Sequence, residues 1–235
     1  MRVWDIHPGY LNRESLLGEH REVHAIFSII INHKPGYARH PETMRWRGCL
    51  GSLVFRHDCL VEEMVFRGYR HQSPAPDIPI SPWPQVFIDP PAGQFSILEQ
   101  KYRMKHPGRI PLPQNTRQLW AHHKYSVMAR DAELYKSTGF EAARGKTRDS
   151  FEVLARTLVE ALRVNPSHGM LKNSLQHMWG YVSSLGPETN SCLGDPVELI
   201  AEIQRRSRLN HVRHLLESTA LTDLAYWARK HSKGP

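Results

Sequence analysis

MRVWDIHPGYLNRESLLGEHREVHAIF, residues 1–27, is the stretch on which the reading of this chain turns. It opens as an extended lead and runs into a helix near residue 13. Leu16, Val23, Phe27 and Ile30, with His20 between them, recur at spacings of three and four, which places them on one face of an α-helix. The neighbouring stripe is Ser15, Gly18, Glu22 and Ala25, small side chains around a single carboxylate, with Arg21 beside it. Small residues let a ligand or another backbone come close. Glu22 therefore either faces a visitor or sits at the margin of a tightly packed helix pair, and the pattern alone leaves both open.

Working outward, the first helix is expected over about 13–33, stopped by Lys34-Pro35-Gly36. Residues 35–51 read as a basic loop bearing Tyr37, Arg39, His40, Arg45, Trp46 and Arg47. A second helix, about 52–68, carries Leu53, Leu60, Val61, Met64 and Val65 and closes at Gly68. From 73 to 113 the chain holds ten prolines, which rule out regular helix over most of that span. Trp83, Val86, Phe87, Ile88, Phe95 and Ile97 need burial, so the segment reads as an ordered, extended wrap over the helical body. Further helices are expected at about 115–130, 149–164, 168–185, 196–207 and 209–230. Repeats and strand alternation are both lacking. The expected fold is all-α: a compact helical domain at 1–115, including the Pro-rich wrap 73–113, and a C-terminal helical bundle at 116–235.

The chain has 235 residues, a formal charge of +8 and 15 histidines. Such a basic balance is the electrostatic footprint of a protein that meets phosphate backbones, although many basic proteins bind nothing in particular. Three cysteines, Cys49, Cys59 and Cys192, are too few and too scattered for a disulfide framework or a zinc quartet, and suit a reducing cytoplasm. No apolar run of roughly 18 residues and no signal peptide is read, so a cytoplasmic protein without membrane contact is expected.

Met1-Arg2-Val3-Trp4-Asp5-Ile6-His7-Pro8, followed by Leu16-Leu17-Gly18-Glu19-His20-Arg21-Glu22, resembles the start of the pyrimidine-dimer DNA glycosylases of the phage endonuclease V type, and more closely their bacterial relatives. Gly36-Tyr37-Ala38-Arg39-His40-Pro41 and Arg67-Gly68-Tyr69 resemble later segments of that family. Residues 118–226 resemble a bacterial helical domain of unknown function, through His123-Lys124-Tyr125, Met128-Ala129, His168-Gly169, Asn173, Leu175-Gln176-His177 and Gly180-Tyr181.

The first resemblance implies a DNA-repair glycosylase with β-lyase activity on double-stranded DNA holding damaged or abasic sites. In that family the amino-terminal α-amine attacks C1′, displaces the base and forms a Schiff base. An α-amine titrates at about 7.7–8.0 against about 10.4 for lysine, so far more of it is a free nucleophile near neutrality. The matching amine is that of Met1, which the bulk of Arg2 is expected to protect from removal. Glu22 takes the catalytic carboxylate role. Arg2 and Arg21 are expected at phosphates or bases, and His20 and His24 on the DNA-facing side. His20 stands where the phage enzyme has a tyrosine, Ala25 replaces a DNA-contacting arginine and Ser15 a histidine, so the lesion need not be a cyclobutane dimer.

Arg39, His40, Arg45 and Arg47 are candidate DNA-backbone contacts, with a solvated basic loop as the alternative. Tyr37 and Trp46 could stack on bases, core packing being favoured for Trp46. His122, His123, His168 and His177 invite a metal reading, but adjacent histidines on a helix diverge; no metal and no cofactor are expected. A monomer is favoured. Two competing classes are carried: a nucleic-acid-binding module without chemistry, and an enzyme with its site in the His-rich C-terminal half.

Overall fold

The computed structural model describes residues 1–145, 147–186 and 194–232; Cys192 lies outside them. Those residues are all-α, with eleven helices and no strand. The chain forms two units, Met1–Gly108 and Arg109–Pro235.

In the N-terminal unit a single 3-10 turn, Pro8–Tyr10, leads into α1 (Arg13–Ile31). Asn12 caps α1 by accepting the Ser15 N–H at 2.9 Å, removing one of the orphan donors that every helix start exposes. Leu16, His20, Val23 and Phe27 are buried, as the spacing predicts, with Ile26 added to that face, while Ile30, expected on it, is only half-buried. α2 (Pro41–Arg45) is a short helix inside the segment expected to be a loop, with His40 as N-cap and Pro41 at its first position. α3 (Leu50–Phe66) packs against α1, and its N-cap, Cys49, offers no side-chain acceptor.

The Pro-rich segment supplies what Cys49 lacks. The Ser81 hydroxyl accepts the Gly51 and Ser52 N–H groups at 2.9 and 3.2 Å, and Ser52 Oγ donates to the Ser81 carbonyl at 2.6 Å. Position 51 has to be glycine here, since a Cβ would stand 2.0 Å from the Pro79 carbonyl oxygen. Trp83 sets its ring against Trp46 and Phe55. The segment is thus an ordered wrap, but Val86 and Ile88 stay exposed, against the expectation that they bury. Within it lies α4 (Pro91–Tyr102), a regular helix where the prolines argued for extended chain. Pro91 occupies the one helical position that tolerates it, and the next proline comes only at 107.

The lead, residues 1–6, is pinned by buried polar groups. Trp4 N–H donates to Glu19 Oε1 at 3.0 Å, and Arg56 donates to both Glu19 carboxylate oxygens at 2.7 and 2.9 Å and to the Ile6 carbonyl at 2.9 Å. Gln94 Oε1 accepts the Asp5 N–H at 2.8 Å. The Glu19 side chain is fully buried and that of Arg56 is 6% exposed. Removing one partner of such a pair strands a charge, so Arg56→Met is expected to destabilise this unit by about 3–5 kcal/mol. Adding Glu19→Leu should return much of that loss. Equal denaturation midpoints for Arg56→Met and the parent would refute the assignment.

The C-terminal unit is centred on α5 (Thr116–Met128), against which α6 (Ala132–Arg144), α7 (Arg148–Leu162), α8 (His168–Gly180) and α11 (Ala220–Ser232) pack, with α9 (Pro196–Leu209) and α10 (Arg213–Leu216) closing one side. α6 was not anticipated; it starts where Asp131 caps Glu133 and Leu134. The single helix expected at 209–230 is two, because the chain leaves the helix at Glu217 and Ser218 and Thr219 donate to the His122 carbonyl before α11 begins; His211, at a left-handed φ of 50°, lies between α9 and α10. Asp223 holds Arg130 by two 2.8 Å hydrogen bonds inside the bundle. No helix among the described residues is long and apolar enough to cross a membrane.

His122 and His123 are buried in this bundle, and burial lowers their pKa values to about 4 and about 3. Both are neutral when folded and protonate when unfolded below roughly pH 6.5, so the unfolded state binds more protons and stability falls as pH drops through that window. Each should cost about 1.4 kcal/mol per pH unit between 6.5 and its folded value. Urea unfolding should show a steep loss from pH 7 to 5 that His123→Gln partly flattens. A midpoint independent of pH over that range would contradict the burial of these rings.

Candidate functional site

Most acidic side chains of the N-terminal unit are engaged. Asp5 is held by Arg45 and Gln94, Glu14 by Lys105, Glu19 by Arg56, Glu42 by Arg45 and Trp46, Glu63 by Arg67, and Asp89 by Arg2. Glu22 is the exception in kind. It is half-buried on α1 and, among the described residues, makes no side-chain hydrogen bond or ion pair; Asp77 and Glu99 also lack one, but they stand exposed. Its surroundings are open at Gly18, where a Cβ would meet nothing within 4 Å, while Ser15 of the same stripe is buried. The stripe is therefore not a tight helix–helix seam at Gly18.

Met1 is half-buried, and its Sδ lies 4.0 Å from Thr43 Oγ1 in α2. Its α-amine forms no direct ion pair with Glu22. Arg2 is part-exposed, pairs with Asp89 at 2.7 Å and stacks over Trp4 at 4.8 Å. An ion pair this exposed contributes little, so a phosphate can replace Asp89.

The basic loop divides. Arg21, Arg39 and Arg47 are exposed cations, Arg47 also donating to the Ala38 carbonyl at 3.0 Å. A hollow of about 350 Å³ between Ile29, Ile30, His33, Lys34, Ala38 and Arg47 lies on the same part of the unit. Tyr37 is 69% exposed and free to stack, whereas Trp46 is core, donating to Glu42 Oε1 at 3.0 Å. One of the proposed DNA contacts in this loop needs correction. Arg45 has a side chain only 2% exposed and is locked to Asp5 at 2.9 Å and Glu42 at 3.1 Å, so it is a core ion pair and cannot reach a phosphate. His40 keeps a half-buried ring whose Nδ1 accepts the Glu42 N–H at 3.1 Å, capping α2.

His20 and His24, read as DNA-facing, turn instead into a group with His57 of α3 and His71. Burial first, then the neighbouring rings, lowers the His20 pKa to about 4, and the same causes lower His24. The sequence signal for this group was present in the His20-x-x-x-His24 spacing, one helical turn on one face, but its completion by residues 57 and 71 is a tertiary fact. By contrast, the C-terminal histidines considered as ligands form no such group among the described residues.

Residues 1–77 match the family model described as pyrimidine dimer DNA glycosylase, inside the N-terminal unit, and residues 124–222 match one described as a protein of unknown function (DUF1722), inside the C-terminal unit. Both resemblances read from the sequence are borne out, the first over about a third of the chain. No curated protein and no solved structure matches the chain.

Proposed function

We propose that the N-terminal unit is a DNA-repair glycosylase and β-lyase acting on damaged or abasic double-stranded DNA, with the Met1 α-amine as nucleophile and Glu22 as catalytic carboxylate. The observation that carries this reading is the half-buried, unpartnered Glu22 beside an open stripe in a unit that matches a glycosylase family. The amine lone pair attacks C1′, and the glycosidic electrons leave with the base. The ring oxygen then departs from C1′ with a proton, leaving a cationic imine. Glu22 balances that cation and accepts a 2′ proton, the 3′ C–O bond breaks, and the phosphate leaves with the electrons. Water finally hydrolyses the imine and frees the amine. Borohydride reduction during turnover on abasic DNA tests the reading directly: a covalent adduct should form and map to residue 1, and its absence would overturn the mechanism.

Arg21, Arg39, Arg47 and Arg2 are proposed to hold phosphates. Log affinity should fall steeply against log salt between roughly 50 and 200 mM, and Arg39→Ala or Arg47→Ala should each reduce the slope by about one. Arg45→Ala should leave the slope alone and lower stability, since its partners are Asp5 and Glu42. A slope near zero would remove nucleic acid as the partner.

A further inference from the structure

We propose that His20, His24, His57 and His71 bind one divalent transition-metal ion, of which zinc is the representative, through four imidazole nitrogens. The donor atoms all lie within 4.8 Å of one another. Five of the six ring pairs are in contact, with centroids 4.7 to 5.3 Å apart. Aromatic packing alone would account for the ring distances, but not for the polar atoms. The Nε2 atoms of His20, His24 and His71 are all buried with no hydrogen-bond partner. Buried polar side-chain atoms are nearly always paired, and three orphaned nitrogens on rings that all contact His20 or His57 are a donor set missing its acceptor.

The frame around the rings is that of a ligand site. His20 and His24 are one turn apart on α1, His57 comes from α3, and His71 from the non-helical segment just after Gly68. His57 Nδ1 faces Asp58 Oδ1 at 3.1 Å, the outer carboxylate that commonly orients a metal-bound imidazole and leaves its Nε2 to the ion. That Nε2 now lies 3.2 Å from the Ser73 carbonyl and would exchange this contact for the metal. A tetrahedral ion with bonds of about 2.0–2.1 Å sets its donors about 3.3 Å apart, so donors up to 4.8 Å apart must close by up to about 1.5 Å, which side-chain rotation supplies. Four neutral nitrogens and no carboxylate in the inner shell favour the borderline ions bound by imidazole over magnesium or calcium.

Glu22 is two residues from both His20 and His24, hence about 200° round the helix from each. The ion is thus placed as a clamp of α1 on α3, away from the proposed chemistry. The inference does not rest on the glycosylase reading.

The test uses the full chain without a histidine tag. Metal analysis after dialysis should give one zinc per chain, the unfolding temperature should drop on chelation and recover with Zn²⁺ alone, and Co²⁺ should produce the visible bands of a tetrahedral site. His24→Gln and His71→Gln should each weaken Zn²⁺ binding by more than the roughly 10–100-fold expected for Asp58→Asn, while His177→Gln, on an exposed ring of α8, leaves it unchanged. Full zinc stoichiometry in the His24→Gln, His71→Gln double variant would overturn the proposal, as would failure of the parent protein to bind Zn²⁺ or Co²⁺. Should those variants not fold, the cobalt spectrum of the parent decides: bands of a tetrahedral site support it, and their absence makes the cluster a packing feature only.

Discussion

Glu22→Gln is expected to slow strand cleavage by about 100- to 10,000-fold while DNA affinity stays within a few-fold. The amide nearly matches the carboxylate in shape but can neither accept the 2′ proton nor balance a cationic sugar. The structure makes this an unusually clean substitution. Glu22 has no side-chain partner among the described residues, so the exchange breaks no contact, and stability should move by no more than about 0.5 kcal/mol. Glu19→Gln, three residues earlier, should behave oppositely: it loosens the buried Arg56 pair and loses stability before it loses chemistry. Cleavage of abasic DNA by Glu22→Gln at the parent rate would remove Glu22 from the mechanism.

That contrast shows which parts of the molecule local sequence can express. α1, α3, α7 and α8 were legible because their apolar residues repeat at the helical period, with Lys34-Pro35-Gly36 and Gly68 marking the ends of the first two. α4 was hidden by the prolines around it, although Pro91 starts that helix instead of breaking it. The break between α10 and α11 falls at residues 217–219 and depends on hydrogen bonds from Ser218 and Thr219 to the His122 carbonyl, which have no periodic signature. The site divides in the same way. Glu22 could be singled out as a candidate because its small neighbours lie on its own helix face. Arg45 was misread as a phosphate contact because a buried partner 40 residues away, Asp5, cannot be inferred from a basic loop. The four-histidine group was missed for the same reason, since half of it lies outside α1.

Adding two residues ahead of Met1 is expected to abolish both borohydride trapping and strand cleavage, a larger effect than any side-chain change proposed here. Amine attack on C1′ needs the reacting atoms about 3–3.5 Å apart and aligned, and an extension turns the Met1 nitrogen into an amide with no free lone pair. The new amine cannot simply take over. Val3, Trp4 and Ile6 are buried, and Glu19, Arg56 and Gln94 hold residues 4–6 by hydrogen bonds, so the lead cannot slide to bring a later-built terminus into register. Acetylating the terminus should have the same result with no change in length. A Met1→Ala protein that retains its new first residue should keep its activity, because the backbone amine does the work and the side chain contributes only its contact with Thr43. DNA affinity in the extended protein should fall only modestly, since Arg21, Arg39 and Arg47 are untouched. An extended or acetylated protein that traps and cleaves at the parent rate would eliminate the terminal amine and move the search to a lysine.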